Sequence, residues 1–119
     1  MRTHQIHAYQ NYIDGQWRQS VSGARLIVTC PGDGQPVADV PKSVPEDMGL
    51  AVAAARHAFE TADWAFNPRL RSKAMLVWAA KLRDNLEDIA TVLCLETGKP
   101  MGEARFEVNG AINQLEYYA

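Results

Sequence analysis

The sequence predicts an α/β fold in which two β-hairpins precede three long α-helices. Three observations carry this. Asp14-Gly15 sits between the short segments Tyr12-Ile13 and Gln16-Trp17. The run Pro31-Gly32-Asp33-Gly34-Gln35 separates "RLIVTC" from "PVADVP". From Ser43 onward, apolar side chains recur every three or four positions.

An Asp-Gly pair between aromatic or β-branched segments predicts a type I′ turn, because both central residues must take positive φ. In the second hairpin, Ile27, Val28 and Thr29 favour a strand, and the glycines and Asp33 supply the turn. Residues 11–41 therefore read as two hairpins, and the polar residues 1–10 as a loose lead-in.

The first helix is expected to open on a capping box at "SVPE". There Ser43 would accept from the backbone of residue 46 while Glu46 reaches back. Met48, Val52, Ala55, Phe59 and Ala62 form its apolar stripe to about Asp63, with Arg56 and Glu60 four apart on the wet face. Asn67-Pro68 opens a second helix, an N-cap type followed by the residue suited to the first helical position. Its stripe is Met75, Trp78, Leu82, Leu86, Ile89 and Leu93, with Asn85 marking a bend and Gly98 a left-handed C-cap. Lys99 then lies near the negative end of that helix.

Gly98-Lys99 resembles the end of a phosphate-binding P-loop but fails it. Position 93 is Leu where a Gly is needed, and Pro100 stands where Ser or Thr would hold magnesium. Gly98-Lys99-Pro100 is a stop and restart between helices. The third helix follows, with Met101, Ala104, Val108, Ala111 or Ile112, Leu115 and Tyr118 as its stripe. No Gly, Pro or basic cap closes it, and two hairpins with three apolar helices do not make a closed layered architecture. The expectation is a domain incomplete at its C-terminus.

Composition narrows the function classes. Of 119 residues, 47% are hydrophobic and 22% charged, an ordinary globular balance, and the net charge of −2 offers no basic field for nucleic acid or anionic membrane. Arg69, Arg71 and Lys73 read as a solvated helix face. The N-terminal residues lack an apolar core of signal-peptide length, and no apolar run approaches a membrane span. Cys30 and Cys94 form no CxxC spacing, so the expected setting is reducing and cytoplasmic.

The order of features resembles the N-terminal segment of the aldehyde dehydrogenase superfamily. "YIDGQW" resembles that family's opening hairpin, and "VTCPGDGQPVADVP" its "NPATGEVIA-V" strand-turn-strand, with Cys30 where Asn is usual. "EDMGLAVAAARHAFETADW", "RLRSKAMLVWAAKLRDNLEDIATVLCLETGKP" and "EARFEVNGAINQLEYYA" continue it in order. "ETGKPMGEARFEV" leans toward the betaine-aldehyde and amino-aldehyde branch.

The resemblance implies NAD(P)+-dependent oxidation of an aldehyde to a carboxylic acid, through attack by a cysteine thiolate and hydrolysis of the resulting thioester. The family's catalytic cysteine, glutamate base, oxyanion asparagine and cofactor loop have no counterpart among these positions, and no GxGxxG occurs. The segment would form the hairpins and outer helices of a cofactor-binding domain, with no catalytic and no cofactor-binding residue of its own. Its implied partners are the remainder of an aldehyde dehydrogenase chain and further copies in a homo-oligomer. The rival class is a non-enzymatic helical interaction module that completes its core with another chain.

Among individual residues, Cys94 between Leu93 and Leu95 reads as a small buried hydrophobe, and Cys30 beside its turn as structural. His4, His7 and His57 share no metal geometry. Trp17, Trp64 and Trp78 read as core or domain-contact residues, Tyr117 and Tyr118 as packing groups, and Gly110 as a close backbone contact. Glu103 and Glu107 are like charges at i, i+4, and Glu107 borders the apolar stripe. Two readings of Glu107 stand. One is an ion pair with an arginine elsewhere, or simple exposure. The other, implied by the resemblance, is a monovalent Na+ or K+ site in which Glu107 acts with backbone oxygens of Val28 and Thr29.

Overall fold

The computed structural model describes residues 6–119. The chain divides into two compact units, Met1–Ala62 and Asp63–Ala119.

In the first unit, β2 (Asn11–Ile13) and β3 (Gln16–Arg18) form the expected two-residue hairpin. Asp14 and Gly15 take φ of 54° and 72°, as a type I′ turn demands. Tyr12 and Trp17 face each other across the ladder with ring centroids 4.8 Å apart. The second hairpin pairs β4 (Arg25–Thr29) antiparallel with β5 (Pro36–Pro41), with a register shift between Val28 and Thr29. Its turn is closed by Cys30 N–H donating to Gln35 O and Gly34 N–H to Cys30 O, each at 2.8 Å. Of the lead-in, residues 1–5 and with them His4 lie outside the described residues. His7–Ala8, expected to be loose, instead form β1, a parallel edge strand on β5, giving the order β1-β5-β4.

Helix α1 spans Pro45–Thr61. Its cap is not the expected Ser43/Glu46 box. Val44 is the N-cap residue, and Asp47 at the third helical position reaches back to accept from Val44 N–H at 2.9 Å. Ser43 is engaged elsewhere: Asn11 Nδ2 donates to its Oγ at 2.9 Å. The one-residue shift changes which face turns inward. Asp47, Ala51 and Ala54 lie on the covered side, whereas Met48, Val52 and Phe59 of the expected stripe are exposed. Arg56 and Glu60 do meet on the wet face, at 3.8 Å.

The second unit is helical. A single 3-10 turn, Asp63–Ala65, leads to α2 (Pro68–Asp84), whose N-cap Asn67 accepts from Leu70 N–H as expected. The long second helix is in fact two. At Asn85 the backbone leaves helical geometry and the side chain donates to Lys81 O at 2.8 Å, so α3 (Leu86–Thr97) starts afresh. Gly98 ends α3 with φ 73°, and α4 runs from Met101 to Tyr118. The core is made by Ala79 of α2, Ala90 of α3, and Ala104, Val108 and Ile112 of α4, with Leu82, Leu86, Ile89, Leu93 and Leu115 packed around them. Helix α4 touches both α2 and α3 far more extensively than those two touch each other. It is the shared wall of the unit.

Trp17, Trp64, Trp78, Tyr117 and Tyr118 are all exposed and lie outside the cores formed within this chain, the two tyrosines meeting edge-to-face at 5.0 Å. A Cβ at Gly110 would meet nothing within 4 Å, so no close backbone contact explains that glycine. Arg71 is more than a solvated charge: its Nη1 donates to Trp64 O and Ala65 O at 2.7 and 2.9 Å, fastening the 3-10 turn to α2.

Candidate functional site

The polar groups assemble into three clusters, each within one unit. In the first unit Asp47 is buried, and its carboxylate accepts three hydrogen bonds: from Ser20 Oγ at 2.6 Å, Val21 N–H at 2.9 Å and Val44 N–H at 2.9 Å. These donors hold the carboxyl below its ordinary pKa, the Ser20 hydroxyl contributing most. Asp47 also lies in the first turn of α1, where the helix dipole favours negative charge. The cluster ties the connection between the two hairpins to the start of the helix. Nothing local in the sequence announces the Ser20–Asp47 contact, since the partners are 27 positions apart.

The second cluster centres on Arg25, whose Nε donates to Asp39 Oδ1 at 2.8 Å and whose Nη2 donates to Asp39 O and Tyr9 O at 2.9 and 3.0 Å. One guanidinium thus joins β4, β5 and the residue after β1, the planar fork serving several acceptors at once. Its partners, too, are distant in sequence, Asp39 lying 14 positions from Arg25 and Tyr9 lying 16.

The third cluster lies at the α3–α4 joint. Lys99 Nζ donates to both carboxylate oxygens of Glu107, at 2.6 and 2.7 Å. Nearby along the helices, Arg105 makes a bidentate pair with Glu87, which lowers the Glu87 pKa and raises that of Arg105 through their mutual hydrogen bonds. Of the cation candidates, Glu107 belongs to the second unit and Val28 and Thr29 to the first. The ion pair expected as one reading of Glu107 is present, with a lysine rather than an arginine. An ammonium thus faces both oxygens of the Glu107 carboxylate.

Cys30 is buried in its turn and Cys94 packs against the helical core, so both thiols serve as packing groups. Among the described residues no group of three or more His, Cys, Asp or Glu could hold a metal ion, and no helix is long and apolar enough to cross a membrane. What the geometry builds is a braced scaffold.

A sequence profile of the aldehyde dehydrogenase family matches residues 17–119. The chain belongs to the aldehyde dehydrogenase family. It is 35% identical over 119 residues to the peroxisomal aminoaldehyde dehydrogenase 2 of Malus domestica, covering 97% of this chain and 24% of that protein. It is 36% identical over 108 residues to malonate-semialdehyde dehydrogenase 1 of Oceanobacillus iheyensis, covering 90% and 22%. Among solved structures, the NAD-dependent aldehyde dehydrogenase of Sinorhizobium meliloti superposes with a TM-score of 0.85 at 33% identity, over 92% of this chain and 22% of that one. Betaine aldehyde dehydrogenase of Staphylococcus aureus, in complex with NAD+, gives 0.87 at 28%, over 91% and 22%. This aldehyde dehydrogenase chain therefore spans about a quarter of the length of the relatives it matches, and the match runs through both units.

Proposed function

We propose that this chain is the scaffold portion of an NAD(P)+-dependent aldehyde dehydrogenase that oxidises an aldehyde to a carboxylic acid, acting in the cytoplasm as a homo-oligomer. The observation that carries the reading is the continuous family match over residues 17–119. It is supported by the polar clusters, whose contacts tie one structural element of a unit to another. Within this reading, NAD(P)+ accepts a hydride, and the residues of the 119 positions contribute shape rather than chemistry. The substrate class we favour is a betaine aldehyde or amino-aldehyde, on the strength of "ETGKPMGEARFEV" and of the names carried by the relatives.

The test joins mass to activity. The intact protein is weighed, then assayed for NADH formation with betaine aldehyde, an amino-aldehyde and malonate semialdehyde, beside the 119-residue polypeptide prepared separately. The expected result is activity only from a protein about four times longer, in keeping with the 24% share of its relative, and none from the 119-residue polypeptide. NADH formation by that polypeptide, or its cooperative unfolding as a stable complex with an unrelated chain, would overturn the scaffold reading in favour of self-contained catalysis or of a helical interaction module.

A further inference from the structure

We propose that the Lys99 ammonium is the permanent counter-cation of Glu107, and that this chain dispenses with an inorganic monovalent ion at that carboxylate. Lys99 is positioned by main chain on both sides. Gly98 before it is fixed in the left-handed conformation that ends α3, and Pro100 after it is the N-cap of α4 with φ held at −60°. The side chain leaves this rigid joint and reaches eight residues along, to the second turn of α4.

Both carboxylate oxygens lie within 2.7 Å of Nζ, so the compact ammonium faces the whole anion rather than one edge of it. The lysine side chain is only 21% exposed while that of Glu107 is 52% exposed, which places the positive charge on the inner side of the pair. A metal ion bound to the same oxygens would have to sit beside that ammonium, and like charges at such separation repel. Glu107 also belongs to no group of three or more His, Cys, Asp or Glu that could hold a metal ion among the described residues.

The test is thermal unfolding of the intact protein in NaCl, KCl and tetramethylammonium chloride at equal ionic strength, combined with a double-mutant cycle on Lys99→Met and Glu107→Gln. The wild type is expected to melt at one temperature in all three salts. Each single substitution is expected to lower it by roughly 2–6 °C, and the double substitution by clearly less than the sum. A wild-type melting temperature specifically raised by Na+ or K+ and made indifferent by Glu107→Gln would overturn the proposal, because the ion would then bind despite Lys99. Strictly additive substitutions would overturn it too. Should Lys99→Met fail to fold, the wild-type salt comparison decides without it.

Discussion

The two units of this chain solve the same problem with opposite means. The second unit buries a continuous apolar set, Ala79, Ala90, Ala104, Val108 and Ile112, and its ion pairs lie outside that set on exposed helix faces. Among its described apolar residues the first unit buries only Ile13 and Cys30, yet it buries Ser20 and Asp47 and threads Arg25 through both hairpin strands. Short strands with small faces cannot enclose much apolar area, so position there is fixed by directional polar bonds. Long helices can enclose it, and small alanines at their crossings let the backbones approach. Burial of a satisfied polar group specifies geometry; burial of hydrocarbon supplies free energy.

If this contrast is right, perturbations should separate the units. The largest effect is expected from Ile112→Ala, which truncates the largest fully buried side chain among the described residues and should cost about 2–5 kcal/mol. Amide exchange resolved by segment should show the loss in α2, α3 and α4 while residues 11–18 stay protected. Next comes Asp47→Ala, which strands the Ser20 and Val44 donors and should melt the first unit several degrees earlier without changing exchange in α4.

Acid should act in the same direction as that substitution. The folded Asp47 carboxyl titrates below its usual 3.8. Its stabilising contribution is therefore complete above that value and is lost as the pH falls through the lowered one. An acid titration followed by exchange at Val21 and Val44 should show this loss, and Asp47→Asn should flatten it. Smaller still is Gly98→Ala, which forces a side chain into the left-handed region at a cost of about 1 kcal/mol and loosens only the α3–α4 joint. The smallest effect is reserved for Arg105→Gln: the exposed pair with Glu87 should shift melting by roughly one degree or less, and less again in high salt.

What the sequence revealed followed the range of the interactions involved. Asp14-Gly15, Asn67-Pro68 and Gly98 each act on their own backbone, and all three behave as their residue types dictate. So do the extents of β4 and β5, set by β-branched residues around a glycine-rich turn. The family resemblance was readable for a related reason, since it rests on the order of such local signals. Failures begin where a distant partner chooses between local alternatives. Ser43 and Asp47 are both capable of capping α1; Asn11 engages the first and Ser20 the second, and the inward face of the helix follows from that choice. The parallel pairing of His7–Ala8 depends on β5, some thirty residues away, and carries no signature in a two-residue strand. Trp78 and Phe59 were assigned inward by periodicity alone, which locates a stripe but not what meets it.

The position of α4 as the shared wall has a consequence for the order in which the chain is made. Synthesis proceeds from the N-terminus, so α2 and α3 are made before the helix that holds them together. At typical elongation rates the 18 residues of α4 take roughly 1–4 s to add. For that interval the apolar faces of α2 and α3 lack the helix that covers them in the folded chain. The first unit faces no comparable delay, because Asp47 follows Ser20 by 27 residues and α1 can be tied down as its opening turn emerges. The part held by a few polar bonds has its partners in place early, whereas the helical core of α2 and α3 waits for α4.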